Sequence, residues 1–253
     1  MTVGFPRLGI ISALHQEQTG LIDLMQNKSI LTRGMRDYTS GRLGNTDTVC
    51  VLSRIGKVAA AATAATLIEH FGVTHIVFTG VAGAMDESVQ VGDIVVADAL
   101  VQHDMNASPL FPRFEIPLLG QSHFASDLPL TEQLLSAAQS FVEQDLAKVL
   151  SEQDRMQFRL ERPRVHRGLI GSGDEFIHNG DRREVLRRQF PDLLAVEMEG
   201  GAVAQVCFEF GVPFAVIRTI SDGANEGAPY DFMQFIERVA SRYAFAIVRR
   251  ICD

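Results

Sequence analysis

A chain of 253 residues that is 46% hydrophobic and 21% charged can bury one sizeable core, so a single domain over 1–253 is expected. Its 21 Gly and 9 Pro are dispersed without any low-complexity tract, which excludes collagen-like and disordered classes. A formal net charge of −8 argues against general electrostatic binding to nucleic acid or to an anionic membrane, and no apolar run is long enough to cross a bilayer.

Residues 1–20 lack a basic stretch followed by a long apolar one, and the protein is read as cytoplasmic. The three cysteines, Cys50, Cys207 and Cys252, are odd in number and form no C-x-x-C pair, so neither a disulfide framework nor a zinc knuckle is expected. Cys50 falls in an apolar strand-like run and Cys207 on an apolar helix face, where both serve as packing residues.

Runs of β-branched and small apolar residues predict strands over Leu8–Ala13, Asp37–Leu43, Thr48–Arg54, His75–Thr79, Ile94–Leu100, Val165–Ile170, Leu194–Val196 and Phe214–Ile220. Segments of helical period begin near His15, Lys57, Leu130, Arg182, Glu199 and Asp231. The stretch from Ala59 to Phe71 is nearly free of charge, which predicts a helix covered almost all round by the sheet or by another subunit. Residues 102–130 are rich in Pro and aromatics with little periodicity, a loop long enough to be functional or an interface element. From Leu130 to Arg162 the pattern turns charged and amphipathic, predicting one long outer helix that ends near Pro163. Arg182-Arg183 and Arg187-Arg188 read as a solvated helix face, and Asp231–Cys252 as a final helix with one face on the sheet.

The chemistry concentrates just past strand ends, the edge where ligand crevices form in an α/β sheet. Glu17 follows the first strand, Gly80-Val81-Ala82-Gly83 the strand ending at Thr79, Gly171-Ser172-Gly173-Asp174 the strand ending at Ile170, Glu197-Met198-Glu199-Gly200-Gly201 the short strand at 194–196, and Ser221-Asp222 the strand ending at Ile220. Five strand exits thus bring small turns and carboxylates to one place. There is no G-x-G-x-x-G fingerprint, no G-x-x-x-x-G-K-[ST] loop and no G-x-S-x-G elbow. No H-x-x-x-H pair sits on a helix, so no metal site is expected.

The segments LGIISALHQE, SRIGKVAAA, FTGVAGAM, VGDIVVAD, GLIGSGDEFI, AVEMEGGAVA and RTISDGANE, in that order over nearly the whole chain, resemble the nucleoside phosphorylase/nucleosidase superfamily. Within it they are most similar to the 5′-methylthioadenosine/S-adenosylhomocysteine nucleosidases. The resemblance implies a three-layer α/β/α fold around a mixed, partly barrel-like sheet, a homodimer, and hydrolysis of a purine N-glycosidic bond without cofactor or metal. It implies that Glu17 takes a proton from the attacking water, that Asp222 protonates N7 of the departing purine, and that Glu199 holds the ribose hydroxyls with Met198 beside it. Phe176 and Ile177 match positions that stack on and bond to the base. Ile55, Gly83, Arg218 and Phe232 match ligand-side or water-side positions.

Breaking the bond from C1′ to a purine nitrogen builds positive charge on the sugar and negative charge on the base, so an acid by the base and a carboxylate by the sugar suit the transition state. A free Asp, with a pKa of about 3.9, is protonated in only about one molecule in a thousand at pH 7, and raising it to neutrality takes roughly 4 kcal/mol of environment. Burial among Ile220, Val81 and Ala82, or the anionic base itself, supplies such a shift for Asp222. The plain alternative for Ser221-Asp222 is a turn cap. Glu197 and Glu199, two apart on a helix start, point about 200° from each other, which leaves Glu197 to partner a basic or hydroxyl group. Arg218, inside an apolar strand, requires a carboxylate, and the expected ion pair orients Glu17 or Glu199.

Between hydrolase and phosphorylase, the first strand exit decides for water: it carries Glu17, which repels phosphate, and no arginine, although Arg54 and Arg218 keep phosphorolysis open. The sequence departs from the nucleosidase pattern in reading SALHQE for GAMEEE, in Val81 for a frequent Ser, in Asn225 for a frequent Asp, in the 103–120 loop and in a longer segment over Gln144–Arg162. Leu110, Phe111 and Phe114 are candidates for an apolar lid over a 5′-alkylthio group or for a dimer plug. The reading is a purine nucleosidase acting on 5′-methylthioadenosine and S-adenosylhomocysteine. A phosphorylase, a hydrolase of a modified nucleoside such as futalosine, and a silent nucleoside-binding protein are its rivals.

Overall fold

The computed structural model describes residues 7–18 and 20–253. Residues 1–6, part of the stretch read above for a leader, and Thr19 lie outside the described residues. Ten strands form one sheet: β1 (Leu8–Ser12), β2 (Gln26–Arg33), β3 (Arg36–Leu43), β4 (Thr46–Leu52), β5 (His75–Ala84), β6 (Ile94–Gln102), β7 (His123–Ala125), β8 (Val165–Ser172), β9 (Leu193–Glu197) and β10 (Phe214–Asp222).

The sheet closes on itself. Running β10–β6–β8–β9–β5 and back to β10, five strands make a barrel of mixed direction, from which β1, β4, β3 and β2 extend as a twisted wing beyond β5. Closure depends on β5 changing partners along its length. Its first half pairs with β1, while Gly83 and Ala84 turn to pair with Val196 and Ala195 of β9. Small residues at 80–84 permit that bend, and they make this segment strand where the sequence pattern reads as a turn after Thr79.

Alternate residues of the same strand enter opposite cores, which is why these strands read as continuous apolar runs. Leu8, Ile10, Ile94, Val96, Ala215 and Ile217 face the helices Leu128–Ser140 and Ser241–Cys252. Ile11, Val95, Ala97, Phe214 and Val216 face the helices Lys57–Glu69 and Gly200–Phe210. The three-layer α/β/α expectation is met, and Cys50, Cys207 and Cys252 are all buried packing residues.

One helical expectation changes. The segment after Leu128 is not one rod: it passes through a π turn at Phe141–Asp145, stops at Leu150, and restarts as Glu152–Gln157. Ser151 caps that restart, accepting the Asp154 amide at 3.0 Å while its hydroxyl donates to the Asp154 carboxylate at 2.6 Å. Within this chain the helix Lys57–Glu69 buries Ala60, Thr63, Ala64 and Leu67 and leaves Val58 82% exposed.

Candidate active site

A cavity of about 330 Å³ opens at the barrel rim, walled by Ala13, Leu14, Ile55, Val81, Ala82 and Val196 and carrying four buried acids, Glu17, Glu197, Glu199 and Asp222. Gly83, Phe176, Ile177, Met198 and Phe232 complete the match between the expected ligand-side residues and its wall. Arg218 is the exception, since it stands behind the cavity and not on its wall.

Glu17 sits in the short helix His15–Gln18 that follows β1, turned back onto the chain before it. Its carboxylate accepts the amides of Ala13 at 2.7 Å, Leu14 at 2.9 Å and, from β5, Val81 at 3.2 Å. Gly80 makes room for it, because a Cβ there would stand 3.0 Å from Glu17 Oε1 and 3.3 Å from Arg218 Nη1. Burial pushes the Glu17 pKa up, and the three amides and the Arg218 charge offset only part of that.

Asp222 ends β10, where the pairing with β5 slips by a residue between Ile220 and Asp222. The bulge turns the carboxylate onto the rim. There it accepts the Ala224 amide at 2.9 Å and lies 2.8 Å from the Ser221 hydroxyl, so the turn-cap contact and a cavity-facing acid are one arrangement. Burial again raises the pKa, the direction a proton donor needs. Gly83 is required beside it: a Cβ would meet Asp222 Oδ1 at 2.8 Å. Glu17 at Val81 and Asp222 at Gly83 are thus spaced along one strand, two residues or roughly 7 Å apart at that wall.

Glu197 and Glu199 do not share a helix start. Glu197 is the last residue of β9, and Glu199 precedes the helix Gly200–Phe210. Glu197 takes the amides of Glu199 at 3.2 Å and Gly200 at 2.8 Å, together with the Ser172 hydroxyl, and pairs with Arg218 at 2.6 Å. The ion pair therefore orients neither Glu17 nor Glu199 directly, as the sequence pattern suggested, but fixes Glu197. The Arg218 guanidinium also lies 4.1 Å from the centre of the Phe78 ring. Among the described residues the Glu199 carboxylate accepts only the Gly56 amide, at 2.8 Å, and burial together with the Glu197 charge pushes its pKa up to about 8.

One side of the cavity is aromatic: Phe176 meets Phe232 edge-on at 5.6 Å, so the loop after β8 and the helix Ala228–Phe235 touch across the cavity mouth. Sequence reasoning missed Ala13, Leu14, Glu175 and Val196 as wall residues; their position at strand exits was the available signal. The proposed lid residues Leu110, Phe111 and Phe114 do not line the cavity in this chain, and Phe114 instead packs 4.6 Å from Phe190. Among the described residues, no helix is long and apolar enough to cross a membrane.

A barrel rim that collects buried acids and an aromatic clamp around an apolar cavity defines an α/β enzyme of the kind that works on nucleosides. The chain belongs to the phosphorylase superfamily, whose family model matches residues 7–253. It is 35% identical over 242 residues to a 5′-methylthioadenosine/S-adenosylhomocysteine nucleosidase of Shewanella frigidimarina, covering 96% of this chain and 97% of that one. The fold is similar to the crystal structure of the nucleosidase of that name from Neisseria meningitidis in complex with methylthio-immucillin-A, with a TM-score of 0.85, 32% identity, and 97% and 98% of the two chains covered. It is also similar to futalosine hydrolase of Helicobacter pylori, with a TM-score of 0.82, 32% identity and 97% of each chain covered.

Proposed function

We propose that this protein hydrolyses the N-glycosidic bond of 5′-methylthioadenosine and S-adenosylhomocysteine, releasing adenine. The observation that carries the reading is that Glu17, Glu199 and Asp222, delivered by three separate strand exits, face one apolar cavity while burial holds all three pKa values high. Asp222 supplies a proton to N7, the electron pair of the C1′–N9 bond passes to the purine, and Glu17 takes a proton from the water that bonds to C1′. Glu199 accepts the ribose hydroxyls, with Phe176, Ile177 and Phe232 about the base. Arg218 acts from behind, its charge partly offsetting the burial of Glu17.

Water is favoured over phosphate because the amides an oxyanion needs, those of Ala13, Leu14 and Val81, are already taken by the Glu17 carboxylate. A futalosine-type substrate is the second reading, favoured by the similarity to the Helicobacter pylori hydrolase over the same length of chain. The working form is a cytoplasmic homodimer in which the partner covers the apolar rim at Ile55, 55% exposed, and Val58. Val58→Glu is expected to yield monomers by size exclusion with light scattering.

The test is adenine release from 5′-methylthioadenosine in phosphate-free buffer, followed by liquid chromatography beside Asp222→Asn. Release by the wild type alone, indifferent to added phosphate, is expected. A phosphate requirement, or turnover of futalosine with hypoxanthine released and none of 5′-methylthioadenosine, overturns the reading.

A further inference from the structure

We propose that Asp104 is a positioning residue for ribose recognition, tying Lys57 and Asp174 into a ring that holds the Gly56 amide against Glu199. The inference rests on the reading that Glu199 accepts the ribose hydroxyls. Asp104 itself is off the cavity wall.

The ring is built from three segments far apart in sequence. The amides of Gly56 and Lys57, adjacent in the chain, each meet a carboxylate at 2.8 Å: Gly56 that of Glu199, Lys57 that of Asp174. Two successive peptide units, hinged at Gly56, therefore set the place of both acids. Asp174 donates its own amide to Asp104 at 2.9 Å, and Lys57 closes the ring by placing Nζ 2.6 Å from Asp104, with Gln102 Oε1 at 3.2 Å.

Two features show why this turn needs outside support. Gly56 has φ +98° and ψ 156°, a backbone state that L side chains rarely adopt, and the helix it opens has no acid in its first turn and no side-chain cap from residue 56. Its first amides are thus served by residues 143 and 117 positions away. Lys57 is the counter-charge that lets Asp104 and Asp174 crowd the same turn. Burial raises the Asp104 pKa, but the Lys57 and Asp174 contacts outweigh it and keep the group ionised at neutral pH. Next to it, the buried His103 ring lies so close over Gly173 that any side chain there would clash, which locks segment 103–104 to segment 173–174.

With one Glu199 oxygen held by Gly56, the other is free to meet the sugar. Loosening the ring lets Glu199 swing, and only a substrate bearing the hydroxyl registers the loss. The experiment compares kcat/KM for 5′-methylthioadenosine and its 3′-deoxy analogue in wild type, Asp104→Ala, Lys57→Gln and Asp104→Glu. Asp104→Ala and Lys57→Gln are each expected to lose about tenfold or more on the ribosyl substrate and less than about twofold on the deoxy analogue, with Asp104→Glu recovering most of the loss. Equal losses on both substrates overturn the positioning role while leaving the role of Glu199 intact. A wild type that treats the two substrates alike overturns the Glu199 reading and this inference with it.

Discussion

Arg218 and Glu197 meet at 2.6 Å with their side chains 1% and 2% exposed, in a wall where Glu17 and Glu199 are also buried. Among the described residues no other arginine or lysine is buried. Glu197 has the close contact with that one guanidinium, and Glu17 and Glu199 feel it only at longer range.

Removing the cation therefore strands several acids. Arg218→Met is expected to cost about 3–5 kcal/mol of stability, because Glu197 is left buried and unpaired, and Arg218→Met/Glu197→Gln to recover part of it. It also takes away an influence that lowers the Glu17 pKa, so the acid limb of kcat/KM moves to higher pH. Urea unfolding of the single and double variants checks the first point. Strictly additive losses would show that the two residues do not depend on each other.

On the proposed roles, Glu17 and Asp222 set opposite limbs of the pH profile. Glu17 must be ionised to accept a proton, so activity falls as pH drops through its raised pKa; Asp222 must be protonated, so activity falls as pH rises through its own. Asp222→Asn is expected to lower kcat about a hundredfold or more, to leave KM within a few-fold, and to abolish the alkaline limb. An alkaline limb unchanged in the variant assigns that proton elsewhere.

The amides around Glu17 make a cradle that outlives the side chain. In Glu17→Gly the Ala13, Leu14 and Val81 amides lose their acceptor and are open to a small carboxylate. Turnover should drop about a hundredfold or more and return in part with added formate, saturably, while wild type ignores formate. No rescue across a formate titration, in a variant with wild-type secondary structure by circular dichroism, would mean that the carboxylate is not the base.

Glu199 makes the free protein sensitive to alkali. Its pKa is raised from 4.5 to about 8 by burial and Glu197, so the folded state holds a proton that the unfolded state has released. The stability tied to that proton is full below about pH 4.5 and is lost as pH rises through about 8. Glu199→Gln is expected to melt at least about 3 °C above wild type at pH 9, with a smaller difference at pH 6. Parallel melting curves across that range would refute the shift.

Much of the site was legible because its parts sit where strands end, and strand ends are marked by runs of Val, Ile and Ala breaking into Gly, Ser and Asp. Of the ten expected residues nine line the cavity wall: Glu17, Gly83, Met198, Glu199 and Asp222 lie in those strand-exit segments, whereas Ile55, Phe176, Ile177 and Phe232 were marked by the family resemblance alone. What stayed hidden depends on distance. Glu197, 21 residues before Arg218, becomes its partner only because β5 lies between β9 and β10, a neighbourhood no local pattern encodes. The strand β2 was missed because all eight of its residues are exposed, with Ile30 and Leu31 adjacent and no apolar alternation to read. β7 has three residues, too few to carry a period. The break before Glu152 could have been found, since Ser151 and Asp154 have the spacing of a helix cap.

The order in which the ring is synthesised has a consequence of its own. β10 follows the other nine described strands in chain order, and it pairs with both β5 and β6 while bringing Arg218 and Asp222. A nascent chain lacking it has already made Glu17, Glu197 and Glu199, three acids destined for burial, while Arg218, the one buried arginine or lysine among the described residues, is still missing. Burying Glu197 without Arg218 would leave an unpaired charge in the wall and cost more than leaving it in water, so β10 and the acids it neutralises depend on one another for burial.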